Sequence, residues 1–276
     1  MFPLPFNIPP YAFEVVSHQI PYQLLLLAHI PTVIISLTFA VWLYRHTKKL
    51  SAFYLLLVTV MFSLWAYLDL LTWTSNASTL MFAWSIYEIF STSFIILTYW
   101  FFYAFVKERD LPLWQKLVSA CFLIPTLVYT TLSVNLNEFL NSQAIALENE
   151  TTHYYVPLLG ILFLLLIITV TFTEYRKTTS TTTKQKILWG GLASGLFLSI
   201  FSISFLITNL LIFFHIGTET AAFNVSVYTL FSMPFMVGML TYLIVKYEAF
   251  NIKAIKSILY ILICMAILFV NIFLPW

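Results

Sequence analysis

The chain has 276 residues, 61% of them hydrophobic and only 9% charged, with a formal charge of +2. Soluble domains carry about a quarter charged residues, so this composition cannot furnish a water-facing surface and excludes a soluble globular protein. Its basic residues lie in short loops beside apolar stretches, so the expected partner is the lipid bilayer and not nucleic acid.

Residues 1–21 contain no Lys or Arg and five prolines. A cleavable signal peptide needs a basic start, so this segment is expected to remain as an extracytoplasmic N-terminal stretch. A helix crossing ~30 Å of hydrocarbon takes roughly 20 apolar residues. Eight such spans follow, at 22–44, 53–73, 80–106, 113–134, 154–173, 187–214, 224–245 and 255–274. The expected fold class is therefore all-α: a polytopic membrane helix bundle with seven helices in 22–254 and an eighth in 255–276.

The loops alternate in charge. Segments 45–52, 107–112, 174–186 and 246–254 hold most of the thirteen Lys and Arg, and Lys116 and Lys256 lie in the first turn of their spans on the same side. Cytoplasmic loops retain cations. The bias therefore predicts a multi-pass protein of the cell membrane with its basic loops in the cytoplasm and its N-terminus outside.

Shorter features are read in the same pass. In 135–153, Phe139, Leu140, Ala144 and Leu147 have helix-like spacing, which predicts a surface helix. The Thr/Ser run between Arg176 and Lys186 reads as a flexible loop. Gly191 and Gly195 form a small-xxx-small pattern that Ser199 and Ser202 continue, which favours close helix packing. Pro31, Pro125 and Pro234 fall within spans, where each removes a backbone donor. Cys121 and Cys264 lie in apolar stretches and read as small hydrophobes.

Ionisable residues inside spans are costly and mark either function or a polar pair. Asp69 sits about four residues from the outer end of its span, His29 about seven and Glu88 about eight. At ~1.5 Å per residue these depths are roughly 6, 10 and 12 Å. Phe62, Trp65, Asp69, Thr72 and Trp73 share one face of the second span. Ser85, Glu88 and Thr92 share a face of the third, flanked by Trp84, Tyr87 and Ser91. Polar groups between aromatic walls suit an outward-opening ligand pocket built from His29, Asp69, Glu88, Trp65, Trp73, Trp84 and Tyr87. The outer half offers no Lys or Arg, so His29, water, a cationic ligand or protonation must neutralise the carboxylates. The same groups serve equally well to hydrogen-bond helices together without a ligand.

No Gly-rich phosphate loop, His-Glu-x-x-His or Cys/His metal spacing is present. Neither a cofactor nor a metal is expected, and with no nucleophile–base pair in evidence the chain does not read as an enzyme.

The stretch from Tyr242 through Lys246, Tyr247, Phe250, Asn251 and Ile252 to Lys253 resembles the closing motif of the seven-helix N-terminal sensor region of bacterial histidine kinases. Phe53 through Trp65 to Trp73, followed by Phe82 and Trp84, looks like that family's second and third helices. Lys184, Gln185, Lys186 and Gly190 look like the start of its sixth. The resemblance covers roughly residues 22–256 and implies a membrane sensor for signal transduction. Such sensors continue into a cytoplasmic kinase, whereas this sequence enters another apolar stretch. The chain is then either a stand-alone receptor-like domain or one that lacks its C-terminal kinase. Expected partners are a cytoplasmic signalling protein, a histidine kinase acting in trans, or a second copy in a homodimer. The competing expectation is a small-molecule transporter or channel.

Overall fold

The computed structural model describes residues 22–74, 77–132, 136–140, 145–148, 154–213, 230 and 232–247. Its helices are α1 (Tyr22–Thr47), α2 (Leu50–Thr74), α3 (Ala77–Lys107), α4 (Leu113–Cys121), α5 (Leu123–Thr131), α6 (Tyr155–Lys177), α7 (Thr181–Phe213) and α8 (Ser232–Tyr247). They occupy the first seven predicted spans, while 255–274 lies outside the described residues. Among the described residues, five helical segments are long and apolar enough to cross a membrane: Leu50–Thr72, Phe82–Lys107, Leu113–Thr131, Tyr155–Lys177 and Thr181–Ser204. The protein is a membrane-embedded helical bundle.

α3 is the central helix, packing against α2, α4, α5, α6 and α7. α8 touches both α7 and α1, which closes the arrangement. The core is aromatic, with Phe62, Phe94, Phe101, Phe102, Phe105, Phe163 and Phe197 fully buried. Ile34, Tyr67, Leu165 and Phe172 face outward. That is the pattern of helices whose solvent is hydrocarbon, where the outer face needs no polar residues. Exposed Thr38, Thr169 and Thr173 return their hydroxyls to the carbonyl four residues back, so these three do not present an unbonded hydroxyl to lipid.

α6 and α7 approach closely through small residues. A Cβ built on Gly191 would lie 2.4 Å from Thr171 Oγ1, and one on Gly160 would lie 1.8 Å from Ser202 Oγ. The Gly191/Ser202 stripe is thus a packing seam.

Three local expectations are corrected. Residues 136–140 and 145–148 pair as antiparallel strands rather than forming a helix, β1 (Leu136–Leu140) with β2 (Ile145–Glu148). The 176–186 loop shrinks to 178–180, because Ser180 caps α7. Its hydroxyl accepts from the Thr183 amide at 3.4 Å and its carbonyl from the Lys184 amide at 3.0 Å. The span 113–134 is divided at Phe122. Pro125 cannot donate to the Cys121 carbonyl, so the turn tightens and the Phe122 amide bonds instead to Ser119 O at 3.3 Å. Tyr155 of α6 donates its hydroxyl to the Phe122 carbonyl, 2.5 Å away.

The other prolines are accommodated differently. Pro31 lies inside a continuous α1. Pro234 sits in the first turn of α8, where amides have no intrahelical acceptor in any case. Cys121 is exposed and free at the end of α4, and Cys264 is outside the described residues.

Candidate functional site

Two polar constellations stand at opposite ends of the bundle. The C-termini of α1, α3, α6 and α8 and the N-termini of α2, α4 and α7 carry the cations, and we call this the basic end. In the other half, His29 of α1 meets Asp69 of α2, with Nε2 and Oδ2 2.8 Å apart. His29 is 1% exposed. The Asp69 side chain is 29% exposed. Asp69 lies one turn from the end of α2, and Thr72 donates its hydroxyl back to the Asp69 carbonyl at 2.7 Å.

Glu88 is placed in a different groove. It is buried on α3 and faces the Tyr129 phenol of α5, near the Thr92–Thr126 hydroxyl contact of 3.1 Å between the same two helices. Two of the three sequence-selected titratable groups thus form one pair, and the third serves the α3–α5 contact.

The aromatic candidates also separate. Trp65 is buried in a cluster with Phe62, Phe94 and Phe201, at ring-centroid distances of 5.5, 6.1 and 5.1 Å. It belongs to the α2–α3–α7 core one turn below Asp69. Trp84 is half-buried, and Tyr87 packs against the edge of the core. The Trp73 side chain lies outside the described residues, as do those of Lys246 and Tyr247 and the whole of Phe250, Asn251 and Ile252. Tyr242 stands at the surface of α8, 37% exposed.

The basic end carries a network that sequence reading did not assemble. Lys186 of α7 is buried and reaches Glu108 Oε1 at 2.6 Å, with its ammonium 4.9 Å from the centre of the Phe105 ring. Lys107 pairs with Glu174 at 2.5 Å, joining α3 to α6. Asp110 accepts from Tyr54 Oη at 2.7 Å, from the Leu111 amide at 2.8 Å and from Lys116 at 2.6 Å. That links α2 and α4 through the connection after α3. The hydrogen bond and charge of Lys186 hold the Glu108 carboxyl below its ordinary value. For Asp110, partial burial works in the opposite direction, but the bonds from Lys116, Tyr54 and the Leu111 amide outweigh it and the carboxyl is lowered. The available clue in the sequence was that Glu108, Asp110 and Glu174 occur beside the cation clusters.

Among the described residues, no three His, Cys, Asp or Glu are grouped as a metal ion requires. Chemically, the His29–Asp69 pair can hold or exchange a proton and present a carboxylate oxygen, while the basic-end network ties helix ends together. No known protein family matches the chain, and no curated protein matches it.

Proposed function

We propose that this chain is a membrane-embedded sensor or receptor domain that detects a small ligand or a membrane state from the outer side and has no kinase activity of its own. In this reading the basic loops are cytoplasmic by the retention of cations, the N-terminus is outside, and the eighth predicted span, in 255–276, follows α8. The observation that carries the proposal is the His29–Asp69 pair, 2.8 Å across the α1–α2 contact and remote from every Lys and Arg of the basic end. A titratable pair at a helix–helix contact gives a ligand or proton a lever on helix packing, provided that it prefers one packing state. The short connections at the basic end then present the change to a cytoplasmic partner, such as a signalling protein or a kinase in trans.

Asp69→Asn and His29→Gln variants test this in cells. The reading requires that either change alters the signalling output of the cognate partner recovered by crosslinking from residues 176–186. Wild-type output from both variants, or substrate uptake by vesicles containing the protein, would sink it, the latter in favour of a transporter.

A further inference from the structure

The interior next to the His29–Asp69 pair contains hydrogen-bonding groups with an unusual property. Thr32 and Ser36 stand on the same stripe of α1 as His29, at spacings of three and seven residues. Thr32 is 1% exposed and Ser36 0%. Neither hydroxyl has a hydrogen-bond partner. Several other hydroxyls of the chain are satisfied within their own helix. Thr38, Thr59, Ser63 and Thr98 all donate to the carbonyl one turn back. On α2, Trp65 lies one turn from Asp69, 8% exposed, and its indole N–H is likewise unpartnered.

These groups occupy one layer of the bundle. At ~1.5 Å per residue, Thr32 and Ser36 lie roughly 4.5 and 10 Å from His29 toward the basic end, and Trp65 roughly 6 Å from Asp69 in the same direction. In hydrocarbon, each unmade hydrogen bond is costly, and a Ser or Thr hydroxyl can always turn to its own helix. Tyr129 and Thr130 on α5, Ser194 and Ser202 on α7 and Thr241 on α8 are also buried without partners. On α1, two such hydroxyls follow a titratable group at spacings of three and seven residues.

We infer that Thr32, Ser36 and the Trp65 N–H, beneath the His29–Asp69 pair, form a binding site for a small neutral molecule carrying an oxygen acceptor on an apolar body. Two hydroxyls and an indole N–H supply donors. Phe201 and Phe94, at 5.1 and 6.1 Å from Trp65, supply an apolar wall. A cation would compete with His29 for Asp69, and an anion would face that carboxylate with no Lys or Arg nearby. A ketone, ester or alcohol meets neither penalty. The inference rests on the receptor reading. Its test uses purified protein whereas the receptor test is read in cells, so the two can fail separately.

The probes are 2-heptanone and, as the apolar control, heptane, added to the purified full chain in lipid nanodiscs while thermal unfolding is followed. Saturating 2-heptanone should raise Tm by about 3 °C while heptane does not. The isosteric Thr32→Val/Ser36→Ala variant should lose that rise, and Trp65→Phe should weaken the ketone about tenfold. Equal shifts from heptane and 2-heptanone would overturn the site, as would a full ketone response in Thr32→Val/Ser36→Ala. If Trp65→Phe does not fold, the α1 variant decides, since it removes only two hydroxyl groups.

Discussion

The Lys186 ammonium and the Glu108 carboxylate meet at 2.6 Å across 78 residues of sequence, binding the start of α7 to the end of α3. The lysine side chain is 7% exposed and the glutamate 72%. A long cation is thus held under an aromatic ring by an acid that itself stands in water. Glu108 adopts a positive φ of 53°, which turns the chain out of α3 toward that contact.

Replacing Glu108 with Gln should destabilise the bundle by about 1 kcal/mol, a modest figure because the carboxylate is solvent-screened. The pH dependence has a definite sign. Glu108 is lowered from 4.5, so its contribution is fully present above that value and is lost as pH falls through the lower folded value. Unfolding in detergent as a function of pH checks this, and the Gln variant should lose the part of the acid sensitivity that comes from this group.

Breaking the His29–Asp69 pair should cost more. Asp69→Leu leaves a buried imidazole facing an aliphatic group, and a loss of about 2–3 kcal/mol is expected, reduced from the fully buried case by Asp69's partial exposure. The double variant His29→Phe/Asp69→Leu should recover much of that loss. A double-mutant cycle on thermal unfolding measures the coupling, and additive single effects would contradict it.

Gly160→Ala places a methyl group 1.8 Å from Ser202 Oγ and 2.8 Å from Ser202 Cβ. A rotamer change removes the first clash but not the second, so α6 and α7 must separate. Destabilisation of about 2 kcal/mol is expected. Adding Ser202→Gly should restore most of it, since the seam then gains and loses comparable volume.

The sidedness proposed above is open to direct labelling. In a Cys121→Ser/Cys264→Ser background, Thr179→Cys should resist a membrane-impermeant maleimide in intact cells and react fully once the membrane is permeabilised. Labelling in intact cells would reverse the topology.

Legibility varied with the range of the interaction. The helices of the bundle were readable because twenty apolar residues in a row have few other fates. The division at Phe122 was half-readable, since Pro125 announced a missing bond but not that Tyr155 would donate at the break. The strand pair β1–β2 is not legible, because Phe139, Leu140, Ala144 and Leu147 have helical spacing and neither strand alternates in polarity. The shortened 178–180 connection was missed because a Thr/Ser run reads as loop until one of its members is seen to cap a helix.

Within the candidate site, the absence of Lys and Arg from one half of the spans singled out His29 as a counterpart for a carboxylate. Which carboxylate it meets is a matter of helix rotation. α1 and α2 present His29 and Asp69 to each other, whereas α3 presents Glu88 to α5. Trp65 lies among phenylalanines because α7 contributes Phe197 and Phe201 to the same layer.

By itself the sequence determined the solvent of this protein, the approximate reach of its helices and the clustering of its cations, because hydropathy and charge act residue by residue. Tertiary structure alone decided the partners: Lys186 with Glu108, Gly160 with Ser202, and two α1 hydroxyls buried without a bond. Those outcomes depend on how each helix is rotated about its axis and how deeply it sits against its neighbours. Side-chain packing across the whole bundle sets both, and no single stretch of sequence contains them.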